Sequence, residues 1–144
     1  MSSGASGGAA RQAEPEILLA NAAFYRAFNG GDADAMCALW AERAPIACFH
    51  PGSPALLGRD AVLGSWREIL RGPPPFQLRC DRPAVQVLGD VAIVTCYEGN
   101  GSRPAHLAAT NVWVFEGGRW LMVHHQAGPL SGPLPKVRSP STLN

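Results

Sequence analysis

Glu98, His124, Asn111 and Tyr25 are the residues of this chain best suited to moving a proton. A carboxylate or imidazole whose pKa is brought towards neutrality serves as a general acid or base. An Asn amide can hold an imidazole in one tautomer, and a phenol hydroxyl can donate a hydrogen bond to a substrate. Whether these groups meet depends on Thr110 to Gln126, TNVWVFEGGRWLMVHHQ, which reads as two strands joined by a Gly117-Gly118 turn. Counting outward from that turn sets Glu116 opposite Arg119, Phe115 opposite Trp120, Trp113 opposite Met122 and Asn111 opposite His124. Side chains alternate along a strand, so these last three pairs share one face, and Thr110, Val112, Val114, Leu121, Val123 and His125 share the other. The first face is an apolar wall with an amide and an imidazole at one end, suited to a pocket floor.

Each candidate carries two readings. Glu98 falls on the face of Ala92, Val94 and Cys96; there, desolvation raises its pKa towards the range a general base needs, or else it sits at the wet end of its strand paired with Arg103. His124 either faces the cavity beside Asn111 or is a hydrogen-bonded core histidine that never titrates. His125 is expected on the opposite face, at the surface or an interface. His50 reaches the pocket as a lone polar group or serves the turn with Pro51 and Gly52. Trp40, Trp66, Trp113 and Trp120, with Phe24, Tyr25 and Phe28, form either a stacking cage for a flat apolar ligand or simply the core. No metal site is expected, because His124 and His125 diverge on a strand and no His-x-His or helical His-x-x-x-His spacing occurs. There is no Gly-rich nucleotide loop and no Ser nucleophile elbow. Proton transfer needs no cofactor, and none is expected.

The elements that must position these groups follow from the rest of the chain. At 144 residues with 47% apolar and 16% charged residues, one domain with a sizeable core is expected. A net charge of +1 with no basic cluster gives no reason for nucleic acid or an acidic membrane surface. Cys37, Cys48, Cys80 and Cys96 lack Cys-x-x-Cys spacing and read as reduced, buried small groups. Residues 1–13, rich in Gly, Ser and Ala, read as a disordered leader without the features of a secretion signal, and no segment is long enough to span a bilayer, so a cytoplasmic protein is expected.

Folding is expected to start at Pro15, with Ile17, Leu18, Asn21, Phe24, Tyr25 and Phe28 at helical spacing until Asn29-Gly30-Gly31. Asp32 caps a short second helix carrying Met36, Leu39 and Trp40. Ile46 to His50 reads as a strand. A third helix over about Asp60 to Leu70 places Val62, Trp66, Ile69 and Leu70 on one stripe, and Gly64 within it suggests a close approach by a packed neighbour. Strands Phe76–Leu88 and Val91–Glu98 then precede the hairpin. The apolar phase of the first of them slips at Arg82-Pro83, which predicts a bulge. Residues 130–144 read as a Pro- and Ser-rich tail, loose or laid along a surface. Helices gathered on one side of a bent, mostly antiparallel sheet make an α+β cone with a cavity between its layers.

In this order of elements the chain resembles the nuclear transport factor 2-like superfamily, and within it the SnoaL-like (ketosteroid isomerase-like) group. The matching stretches are FYRAFNGGDADAMCALW at 24–40, HPG at 50–52, GRDAVLGSWREIL at 58–70, GDVAIVTCYE at 89–98 and ATNVWVFEGGRWLMVHHQAGP at 109–129. The resemblance implies a cone-shaped, cystatin-like domain over 14–129, with a small-molecule pocket and a homodimer built on the outer sheet face. The chain departs from the group at Gln126, where a third consecutive histidine is usual, and at Ser53, where a Trp often follows His-Pro-Gly. One function that follows is a cofactor-independent isomerase, cyclase or dehydratase acting on a small apolar or carbonyl compound. Glu98 and His124 would shuttle the proton, and Tyr25, Trp40, His50, Trp66, Asn111, Trp113 and Gln126 would bind substrate. The other is a non-catalytic ligand-binding or dimeric assembly domain.

Overall fold

Helix α1 runs over Ser3–Asn29 and buries Ile17, Asn21, Phe24, Tyr25 and Phe28, residues three and four apart that fall on one stripe. In the computed structural model, which describes residues 3–137, it begins well before Pro15. The expected structureless leader is therefore corrected from Ser3 onward, while Met1 and Ser2, and residues 138–144 of the expected tail, lie outside the described residues. The helix stops where Gly31 turns to φ 61° and Asp32 N–H bonds back to the Ala27 carbonyl. Asp32 then caps α2, Ala33–Ala38, its side chain accepting from Ala35 N–H at 3.0 Å.

Short strands β1, Ala47–Phe49, and β2, Leu56–Leu57, precede α3, Arg59–Ile69. Val62, Trp66 and Leu70 turn inward, whereas Ile69 is 40% exposed. Gly64 faces open space, with nothing within 4 Å of an added Cβ, so the expected close approach at that glycine is corrected. Four long strands follow: β3, Leu78–Leu88; β4, Val91–Asn100; β5, Leu107–Glu116; and β6, Arg119–Pro129. They form one sheet in the order β2-β1-β6-β5-β4-β3, antiparallel except where β1 runs parallel to β6. The inner face carries buried Ala92, Val94, Cys96, Asn111, Trp113, Met122 and Ala127 under the helices, while Thr95, Ala108 and Gln126 on the outer face are exposed. This is an α+β fold of an open, mostly antiparallel sheet covered on one side.

Two bulges shape it. In β3 the register slips between Asp81 and Ala84, where Arg82 takes φ 53° ahead of Pro83, at the place the sequence predicts. In β6, Trp113 pairs with Met122 but Val112 pairs with His124, so Val123 is the extra residue. It lies where the outer neighbour of β6 changes. Met122 bonds the Leu39–Ala41 segment through Leu39 O at 2.7 Å and Ala41 N at 2.9 Å, and from His124 onward the neighbour is β1. An extra residue at that junction lets the strand bend between two partners.

Candidate functional site

The Val123 bulge reverses the alternation beyond it, and this decides which histidine enters the domain. His125, not His124, stands opposite Asn111. The expected Asn111–His124 pair is corrected: His124 points outward, half-buried, with its ring edge-on to Phe49 at 6.1 Å. His125, expected outside, is 4% exposed and lies on the inner face between Cys48 and Asn111 in neighbouring strands.

Around Asn111 the inner face holds a continuous polar chain. Asn111 Oδ1 is 2.6 Å from His125 Nδ1, and because an amide oxygen only accepts, Nδ1 carries the proton and Nε2 the lone pair. Asn111 Nδ2 donates to Asn21 Oδ1 at 2.8 Å and to the Tyr25 hydroxyl at 3.2 Å. Tyr25 in turn donates to Glu98 Oε2 at 2.6 Å, and Cys96 Sγ lies 3.1 Å from the same hydroxyl. Four elements supply these groups: α1 gives Asn21 and Tyr25 one helical turn apart, β4 gives Cys96 and Glu98 two residues apart, β5 gives Asn111 and β6 gives His125. Both spacings keep the paired residues on one face of their element.

Electrostatics follow from burial. Glu98 is 2% exposed, and desolvation pushes its pKa up, opposed in part by the Tyr25 hydrogen bond. It makes no ion pair among the described residues, so it takes the desolvated placement and not the Arg103-paired one. Burial, reinforced by the Glu98 charge, raises the Tyr25 pKa, so the phenol stays a donor. His125 is driven down to about 3 by burial, then by His50 and His124. It is a neutral imidazole across the physiological range. A proton on this chain therefore resides most readily at Glu98, whose Oε1 has no protein hydrogen-bond partner among the described residues.

The cluster opens on a cleft of about 380 Å³ between α1 and β3, lined by Asn21, Tyr25, Arg26, Asn29, Cys80 and Pro83 among others. The β3 bulge forms one wall of it. The remaining site candidates are dispersed. His50 bonds Ser65 Oγ at 2.9 Å and stacks edge-on to Trp66 at 4.7 Å, with its pKa lowered by burial. Trp66 is also 6.0 Å from the His125 ring, so this pair flanks the histidine end of the chain. Trp40 and Trp113 flank Met122 on either side in the sheet and are core residues, 1% and 0% exposed. The indole N–H groups of Trp40, Trp66 and Trp113 have no protein partner among the described residues. Gln126, expected in the pocket, is corrected to the outer face, where it borders a shallow depression of about 410 Å³ with Thr95, Tyr97 and Thr110. Sequence reasoning missed the site role of Asn21, although a polar residue within the apolar stripe of α1 was the signal for it. Among the described residues no group of three or more His, Cys, Asp and Glu side chains could hold a metal ion.

Comparison with known proteins agrees with this architecture. A protein of Streptomyces avermitilis, provisionally assigned as a dehydratase of the nuclear transport factor 2-like family, superposes with a TM-score of 0.74 at 29% identity, over 85% of this chain and 99% of that one. A Thiobacillus denitrificans protein, provisionally assigned as a calcium/calmodulin-dependent protein kinase type II association domain, superposes with a TM-score of 0.68 at 36% identity, over 78% and 93%. The F-box protein SKIP8 of Arabidopsis thaliana is 27% identical over 111 residues, which are 77% of this chain. The chain spans about half the length of that curated relative, 48%. The family model of the SnoaL-like domain matches residues 17–131, the span that holds every member of the polar chain from Asn21 to His125, and the chain belongs to that family.

Proposed function

We propose that this protein is a cofactor-independent acid/base enzyme, an isomerase, cyclase or dehydratase, acting on a small apolar or carbonyl compound. The observation that carries the reading is Glu98: a buried carboxyl with a raised pKa, held on one oxygen by Tyr25 and placed behind a cleft. Such a group takes a proton from carbon or gives one to a leaving hydroxyl near neutral pH without a metal. Asn111 fixes the Tyr25 hydroxyl and the His125 tautomer, so the donor geometry is set before substrate arrives. The likeness to a provisionally assigned dehydratase supports the same class. His124, turned outward, has no part in this proton path, and His125 acts as a neutral orienting group. The four free thiols suit a reducing, cytoplasmic setting, and no helix among the described residues is long and apolar enough to cross a membrane.

The test is a thermal-shift screen with small carbonyl, enone and aromatic compounds. A ligand at about 100 times its Kd stabilises by about 2.7 kcal/mol, which for a domain of this size raises Tm by several degrees. A hit whose shift disappears in the Tyr25→Phe protein supports the site. No shift from any compound class counts against it and favours an assembly role.

A second reading adds to the first. The outer sheet face presents Ile93, Val112 and Val114, all only half-buried, in the rows next to the depression bordered by Thr95, Thr110 and Gln126. An apolar sheet face of this kind suits a homodimer, as does the likeness to an association domain. A Thr110→Arg substitution places a charge on this face, beside Val112 and Ile93. Sedimentation is expected to show a dimer for the wild type and a monomer for this variant; a monomeric wild type overturns the assignment.

A further inference from the structure

Two thiols lie beside the polar chain and have no part in the proton transfer proposed above. Cys80, on β3, lines the cleft and is partly exposed, and Asn21 Nδ2 approaches its Sγ at 3.7 Å. Cys96, on β4, is 3% exposed and sits behind it, 3.1 Å from the Tyr25 hydroxyl. Cys80 pairs in register with Glu98, which makes Cys96 its diagonal neighbour on the same inner face. The β3 bulge inserts Arg82 and Pro83 opposite Cys96, so the ladder beside the pair is already interrupted. A disulfide needs its Cβ atoms about 3.5–4.5 Å apart, and the adjustment required falls on this irregular stretch instead of on a regular ladder.

We propose that Cys80 and Cys96 form a peroxide-reactive dithiol, with Cys80 as the attacking sulfur at the cleft and Cys96 as the resolving one behind it. In the first step the Cys80 thiolate attacks a hydroperoxide. An S–O bond forms, the O–O bond breaks, and the departing oxygen leaves as alcohol or water after taking a proton. The sulfur is oxidised by two electrons to a sulfenic acid and the peroxide is reduced by two. In the second step the Cys96 sulfur attacks Cys80. The S–S bond forms, the S–O bond breaks, and hydroxide leaves as water with the proton released by Cys96.

Exposure separates the roles of the two sulfurs, since Cys80 lines the cleft and a peroxide reaches it first, while Cys96 is buried behind it. The neighbouring Cys96 thiol holds Cys80 below the ordinary thiol value against the opposing effects of burial and of Glu98, whereas the Cys80 contact and burial hold Cys96 above it. Cys37 and Cys48 are buried away from this pair, and burial pushes Cys48 up to about 12, so neither competes.

The experiment treats the full chain with hydrogen peroxide and follows free thiols, intact mass and a non-reducing peptide map. The wild type is expected to lose two thiols and about two mass units, reversibly with dithiothreitol, with the Cys80 and Cys96 peptides joined. A Cys80→Ser variant is expected to lose thiols at least about tenfold more slowly, and a Cys96→Ser variant to accumulate a sulfenic acid at Cys80 that dimedone traps. The wild-type map does not depend on either variant folding. Four unreacted thiols after treatment, a crosslink through Cys37 or Cys48, or wild-type kinetics in the Cys80→Ser protein would overturn the assignment.

Discussion

Turnover by the Glu98→Gln protein is expected to fall about 10²–10⁴-fold on any compound that the wild type binds and converts, with Kd changed little. The substituted amide still offers a carbonyl oxygen to the Tyr25 hydroxyl, so the hydrogen bond at 2.6 Å has an acceptor and the cleft keeps its shape. What disappears is the exchangeable proton. Stability provides a second readout that a merely structural role of Glu98 would not separate from binding. A carboxyl whose folded pKa is raised above its ordinary 4.5 holds its proton longer in the native state than in the unfolded one. Its contribution is therefore full below 4.5 and is lost as pH rises towards the folded value. The variant lacks that loss, so at neutral pH it should be at least as stable as the wild type while being far less active. Unchanged turnover in a folded variant would remove Glu98 from the mechanism.

Acid should unfold the protein early through His125. This imidazole is neutral in the native state, with its pKa near 3, and takes up a proton once unfolded, where the ordinary value is 6.5. The unfolded state thus binds more protons between those two values. The contribution of His125 is fully present above 6.5 and is lost as pH falls, amounting to a difference on the order of 4 kcal/mol by pH 3. Urea midpoints for the wild type and a His125→Phe variant, measured from pH 7 down to pH 4, isolate it. Phenylalanine preserves the packing against Phe24, 4.8 Å away, but leaves Asn111 Oδ1 unpaired, so the variant starts lower at neutral pH and declines less steeply. Asp81 and Glu116, whose pKa values are lowered by hydrogen bonds from Arg79 and from backbone N–H groups respectively, lose their contributions at more acid pH. His50, also lowered by burial, acts in the same direction as His125, and Glu98 acts in the opposite one, so the comparison must be between variant and parent. Parallel curves would show that His125 is not a buried neutral histidine.

Much of this architecture was legible in the order of residues because local chemistry declared it. Gly117-Gly118 marks the hairpin, Asp32 the second helix, and Pro83 the kink in β3, each through a backbone constraint that only certain residues satisfy. The desolvated placement of Glu98 was one of two readings, and counting along β4 placed it beside Cys96 and Val94. The β6 bulge was not legible. Leu121, Met122 and Val123 carry no Gly, Pro or polar residue to mark an extra position, and its cause is tertiary, the change of neighbour from Leu39–Ala41 to β1. For the same reason the parallel pairing of β1 with β6 and the two-residue β2 left no local mark. One unmarked residue was enough to exchange the faces of His124, His125 and Gln126.

That exchange has a corollary for how this site withstands mutation. Because the two histidines are adjacent, a hairpin with the Val123 bulge and one without it both bring an imidazole opposite Asn111: His125 in the first case, His124 in the second. A single-residue insertion upstream in β6 with the bulge kept, ordinarily ruinous to everything after it in a strand, would leave the amide its partner, with His124 in the place of His125. The damage would fall one step later, where Gln126 would turn inward in place of Ala127 and bring a long polar side chain into the core. The doubled histidine is thus a spare for a sheet whose register is set from outside, and it protects the hydrogen bond more completely than it protects the packing beside it.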